Sequence, residues 1–175
     1  MVGIVELGDP VLRKTAQPIK DPTAPSVRMI VDQMIRVLKK ERGIGIAAPQ
    51  IGVSEQLFIV APNQKLASPY TDIKTGVVVI NPTISFMTDK QTYEWEGCLS
   101  IPGIRGYVPR QCDIMIEYTN LLGEKVSESY TGFTARIFLH EYDHLMGNVF
   151  LDHIEDIKSH IITDGYYIKQ MEDES

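Results

Sequence analysis

The stretch HEYDHLMGNVF, residues 140–150, constrains this chain more than any other. It sets two histidines four residues apart, with a glutamate directly after the first. On a helix, positions i and i+4 lie one turn apart on the same face, so His140 and His144 can direct two ring nitrogens at one point. Glu141 lies beside His140 around the helix and can reach a water at that point without being a ligand. This is the H-E-x-x-H arrangement, in which the glutamate serves as general base. Catalytic zinc sites take three protein ligands and leave a fourth position open. A fold built on this helix must therefore bring a third donor to it from elsewhere.

Downstream sequence supplies that donor poorly. The longer pattern H-x-x-G-x-x-H has its glycine, Gly147, but Phe150 stands where the third histidine belongs. A carboxylate from a later helix is the other common solution. Glu155 and Asp156 follow too closely for it, and no long helical segment comes after them. His153 and His160 read as partly exposed loop residues. Upstream, EGCLSIPG places Cys98 after a strand and before a Pro-Gly turn. A thiolate is a strong ligand for a late first-row divalent metal. A buried structural cysteine and a Cys–His nucleophile remain the other readings of Cys98, although neither the caspase nor the papain signature surrounds it. Cys112 sits in an apparent strand with no glycine around it and reads as core.

With 175 residues the chain is expected to form one domain, 1–175, with enough length for a real core. A net charge of −6 argues against a nucleic-acid backbone as the main partner. No apolar run approaches the roughly 20 residues of a membrane span. The N-terminal MVGIVELGDPVLRK lacks the basic and apolar regions of a signal peptide. Two cysteines in a chain of this size fit a reduced compartment.

The order of elements follows from periodicity and turns. DPVLRKTAQPIKDPTAPS reads as an irregular arm. Val27, Ile30, Val31, Met34 and Leu38 recur at helical spacing, predicting a helix over 27–41, capped by Ser26 and stopped at Gly43. QLFIVA and GVVVINP read as buried strands, with further strands at 84–87 and 92–95. Pro102, Gly103 and Gly106 predict a turn. DIMIEYTN and EKVSESYTG predict a hairpin joined across LLGE. A second helix opens at Thr131 or Thr134 and runs to about Met146, with Gly147 beyond it. In the tail, DGYYIKQMEDES, the aromatic pair suggests a short strand followed by frayed acidic residues. Strands in a block, with one helix near each end, predict an α+β fold with largely antiparallel sheets.

Three stretches stand together: GIGIAAPQ at 43–50, EGCLS at 96–100 and HEYDH at 140–144. In this set and order the chain resembles the peptide deformylases, whose motifs are G-x-G-x-A-A-x-Q, E-G-C-x-S and H-E-x-D-H. The resemblance implies sheets packed around a central HExxH helix. It implies that Cys98, His140 and His144 hold one divalent metal, Fe2+ by expectation, with Zn2+, Ni2+ or Co2+ able to substitute. Such an ion activates water for hydrolysis. Glu141 becomes the base, and the Gln50 amide and Leu99 backbone N–H become donors to the formyl oxygen. Gly45 would let the backbone approach the substrate, while Ile44, Phe133 and Ile137 would line a methionine pocket. Glu96 and Arg110 would form a supporting ion pair, with Asp143 nearby. The implied reaction removes formate from the N-formylmethionine of nascent polypeptides in a bacterial cytoplasm, with a transient ribosome contact as a further partner. The short tail ending EDES departs from the long basic C-terminal helix of one common bacterial form. A small HExxH metallo-endopeptidase is the alternative, and it would need a third His or carboxylate downstream.

Overall fold

The computed structural model describes residues 3–61 and 76–173. Among them, β1 (Gly45–Ala47), β2 (Leu57–Val60), β3 (Val77–Phe86), β6 (Asp113–Thr119) and β7 (Lys125–Thr131) form one sheet in the order β1-β2-β3-β6-β7. β4 (Gln91–Cys98), β5 (Ile101–Gln111) and β8 (Ile161–Thr163) form a second sheet in the order β4-β5-β8. Every pairing within both sheets is antiparallel. Among the described residues, three α-helices complete the fold: α1 (Pro25–Glu41), α2 (Gly132–Met146) and α3 (Asp164–Asp173). Among the described residues, no helix is long and apolar enough to cross a membrane.

The first helix begins two residues before the expected start. Pro25 takes its first turn, where a missing N–H costs nothing, so Ser26 lies inside the helix and Ala24 at its cap. Val27, Val31, Met34, Ile35 and Leu38 bury one face. Arg42, rather than a glycine, adopts the left-handed conformation that ends it (φ 55°) and donates its N–H to Leu38 O. The β6–β7 hairpin and α2 form where the sequence predicts them, with Thr131 capping α2 and Gly147 closing it.

Three expectations are corrected. The runs at 76–82 and 84–87 are one strand, β3, broken in register between Ile80 and Thr83. Pro82 has no N–H to give a ladder and sits in that irregularity, while the Asn81 side chain exchanges two 2.8 Å bonds with the backbone of Ile19. Second, the turn lies at Leu99–Ser100, and β5 runs on through Pro102, Gly103 and Gly106. The pairing jumps from Cys98↔Ile101 to Gly97↔Arg105, so residues 102–104 bulge from the ladder. Gly106 is needed for packing, because a Cβ there would lie 2.6 Å from Ile154 and 2.7 Å from Phe150. Third, the tail is a helix. Ile161–Thr163 takes the strand position beside β5, and Tyr166 and Tyr167 fall on α3, with the Tyr167 ring 4.4 Å from the Arg105 guanidinium. Glu174 and Ser175, at the acidic end, lie outside the described residues.

The N-terminal arm ties the pieces together. Val5 N–H donates to Gln50 O, Leu7 N–H to Ser100 O and Ala16 N–H to Leu145 O, each at 2.8 Å. One segment, with a turn of 3-10 helix at Pro10–Arg13, thus touches all three motif-bearing regions.

Candidate metal centre and active site

Cys98 ends β4, and His140 and His144 lie on successive turns of α2. Their sulfur and ring nitrogens all lie within 4.8 Å of one another, and Cys98 Sγ is 3.3 Å from His144 Nε2. Among the described residues, these three form the group of donors able to hold a metal ion. Burial opposes ionisation of the Cys98 thiol, yet the adjacent His144 and His140 outweigh it and lower its pKa to about 5. The thiolate is the form that ligates a metal. The other candidates are elsewhere. His153 Nε2 bonds Asp143 at 2.8 Å, and His160 packs against Tyr93 and Tyr107. Cys112 is buried among the core residues.

Glu96, the residue two before Cys98, orders the centre. It is only 6 % exposed. Its Oε1 accepts from Arg110 Nε at 2.9 Å and Arg136 Nη1 at 2.7 Å. Its Oε2 accepts from Arg110 Nη2 at 3.0 Å and pairs with His140 Nδ1 at 2.9 Å. That last bond leaves His140 Nε2 for a metal and fixes the ring, as a carboxylate behind a ligating histidine does. Burial works against Glu96 ionisation, but the bonds from His140 and Arg110 hold its carboxyl well below the usual range. Arg110 also reaches Asp143 Oδ2 at 2.6 Å, which in turn meets His153. Arg136 is not picked out by the sequence. The one available signal is a charged side chain four residues before His140 on a helix whose neighbouring positions are apolar. Ser100, the last residue of EGCLS, is given no role by the sequence; it is fully buried, and its Oγ lies 3.3 Å from Gln50 Nε2.

A cleft of about 480 Å³ opens beside Cys98. Ile44, Gly45, Gln50, Leu99, Phe133, Ile137, His140 and Glu141 all contribute to its walls. Ile137 is buried, whereas Phe133 is more than half exposed at the rim. Gln50 Oε1 accepts from Ala47 N–H at 2.8 Å, which turns its Nε2 toward Cys98 Sγ, 3.4 Å away. Glu141 is buried, and its Oε2 has no hydrogen-bond partner among the described residues. Burial raises its pKa to about 7, against the opposing pull of His140 and His144.

The structure adds a second reason for glycine at position 45, on the wall of the cleft. A Cβ at this position would collide with Glu141 Oε1 and lie 2.8 Å from Glu141 Cδ. The glycine therefore gives the carboxylate its seat. Gly45→Ala should move that carboxylate and lower kcat by up to about 10²-fold, the scale of a displacement near 1 Å. Metal content should be unchanged. Steady-state turnover on metal-quantified protein checks this, and an unaltered kcat would show that the seat is irrelevant.

A family model described as polypeptide deformylase matches residues 1–160. The chain belongs to that family. Its activity is peptide deformylation, a hydrolysis that removes the formyl group from N-terminal formylmethionine and releases formate. Peptide deformylase 2 of a Nostoc species is 38% identical over 166 residues, covering 95% of this chain and 93% of the relative. A peptide deformylase of Desulforudis audaxviator is 40% identical over 150 residues, covering 85% and 90%. Among solved structures, the Thermotoga maritima peptide deformylase superposes with a TM-score of 0.78 at 35% identity, covering 89% of this chain and 99% of that one. A class I type b peptide deformylase of Acinetobacter baumannii, bound to Met-Ala-Ser, gives a TM-score of 0.76 at 33% identity, covering 86% and 96%. Peptide deformylases are metalloenzymes, and the Cys98–His140–His144 group fits that requirement by donor type and convergence.

Proposed function

We propose that this deformylase works with α2 as the central helix of the fold, carrying two of three metal ligands and the base. Cys98, His140 and His144 hold one divalent ion, Fe2+ by expectation, with Zn2+, Ni2+ or Co2+ as substitutes. When bound, the ion supplies Lewis-acid polarisation and lowers the pKa of water. The observation that carries the reading is the meeting of one sulfur and two imidazoles beside the unpartnered Oε2 of Glu141.

The residues divide the work. Of the strands that line the cleft, β1 and β4 are edges of their sheets among the described residues, so each offers backbone groups to an extended peptide. Ile44, Phe133 and Ile137 receive the methionine side chain, and the formyl group lies between Gly45 and Cys98, which line the same cleft. Gln50 Nε2–H and the Leu99 N–H donate to the formyl oxygen as it gains charge. Donors of this kind are worth about 3 to 4 kcal/mol each. Glu141 Oε2 takes a proton from the attacking water and returns it to the departing amide nitrogen. The C–N bond breaks, leaving formate and a free N-terminal methionine. The Met-Ala-Ser held by the Acinetobacter relative has the form of such a product. Nascent chains in the bacterial cytoplasm, met in transient contact with the ribosome, are the source of substrate.

Anaerobic purification with metal analysis tests this. Formate release from formyl-Met-Ala-Ser should vanish on chelation and return with Ni2+ or Co2+, while casein stays intact. Internal cleavage of casein without formate would support an endopeptidase and overturn the reading.

A further inference from the structure

The metal group draws on two separate parts of the fold. Cys98 comes from the β4–β5 hairpin, and His140 and His144 come from α2. The three donors meet only while helix and hairpin keep one fixed relation. Apolar packing alone tolerates small slides between elements, whereas hydrogen bonds weaken steeply as distance and angle change. Arg136 supplies such bonds. It is 3 % exposed and stands on α2 one turn before His140. Its Nη1 donates to Glu96 Oε1 at 2.7 Å and to Val108 O at 2.9 Å. Its Nη2 donates to Thr92 O at 2.6 Å and to Thr92 Oγ1 at 3.3 Å. One guanidinium therefore grips β4 at two positions and β5 at a third. His140, on the next turn, grips the same Glu96 through Oε2. A planar fork with fixed donor directions admits one orientation against four acceptor atoms on three residues, which a flexible ammonium does not.

We propose that Arg136 is a positioning residue of the metal centre: by bonding Glu96, Val108 and Thr92 it sets the rotation and height of α2 against the β4–β5 hairpin, and so places His140 and His144 relative to Cys98. Metal affinity depends on it although it is no ligand. This rests on the assignment of Cys98, His140 and His144 as ligands.

The test uses the full chain with Arg136→Lys and Arg136→Met, stripped of metal and titrated anaerobically with Co2+ against a competing chelator. Affinity is referred to the folded fraction from circular dichroism, and thiolate-to-cobalt absorption reports ligation by Cys98. Arg136→Met should bind Co2+ about 100-fold more weakly and Arg136→Lys about tenfold, the range of changes behind metal ligands, with displaced absorption bands in both. If the Met variant fails to fold, the Lys variant decides. Folded protein with the parent's affinity and spectrum would overturn the proposal and leave Arg136 a purely structural tie. A parent protein without thiolate absorption would instead overturn the ligand assignment.

Discussion

Glu141→Ala is expected to keep its metal and to lose kcat by about 10²- to 10⁴-fold, the usual contribution of a positioned general base. The geometry gives the side chain little else to do. It is buried, its Oε2 has no partner among the described residues, and its Oε1 rests over Gly45. Burial brings its pKa to about 7, so near neutrality it can both accept a proton and give it back. Glu141→Gln separates chemistry from packing. The amide fills the same space but cannot take up a proton, so it should lose as much turnover as alanine. Formate release and metal per chain, measured on the same samples, check both variants. A glutamine variant with near-parent kcat would mean that the carboxylate serves packing and that the base lies elsewhere.

What the sequence shows of this fold is what local spacing controls. The buried face of α1, the β6–β7 hairpin and the caps of α2 depend on residues a few positions apart. Apart from the two ends of α1, the departures depend on distant partners. Gly106 looks like a turn residue until Phe150 and Ile154 pack onto it. Pro82 divides β3 on paper, but the irregularity around it is what docks Ile19. The aromatic pair in the tail suggests a strand, but Ile161–Thr163 already fills the place beside β5. The site follows the same division. His140, Glu141 and His144 are legible because one helix turn sets them, and Cys98 because its motif stands in order with theirs. Glu96 and Arg110 could pass for a surface pair. Their burial, and the convergence of Arg110, Arg136 and His140 on one carboxylate, belong to the folded molecule alone. A charged helix residue such as Arg136 reads as solvent-facing until its acceptors on β4 and β5 are known.

Cys98→Ala is expected to lose metal and activity together. Removing one of three ligands should cost more than the roughly 10- to 100-fold typical of a change behind the ligands. The effects on the protein itself should be local. Cys98 lies at the end of β4 with its turn held by the Leu7–Ser100 bond and its strand by Glu96, neither of which uses the sulfur. The alanine variant should therefore stay folded while His144 Nε2 and Gln50 Nε2 lose their neighbour. Cys98→Ser sharpens the comparison, because a hydroxyl keeps the shape but is a far weaker donor for a late first-row ion than a thiolate. In the Co2+ form, thiolate absorption should disappear from both variants, and competition with a chelator should show weak binding. Cys112→Ser, a change to the other sulfur, should leave metal binding and that absorption intact. Full-strength binding in Cys98→Ala would place the third ligand on another residue and, with it, the chemistry of the whole cleft.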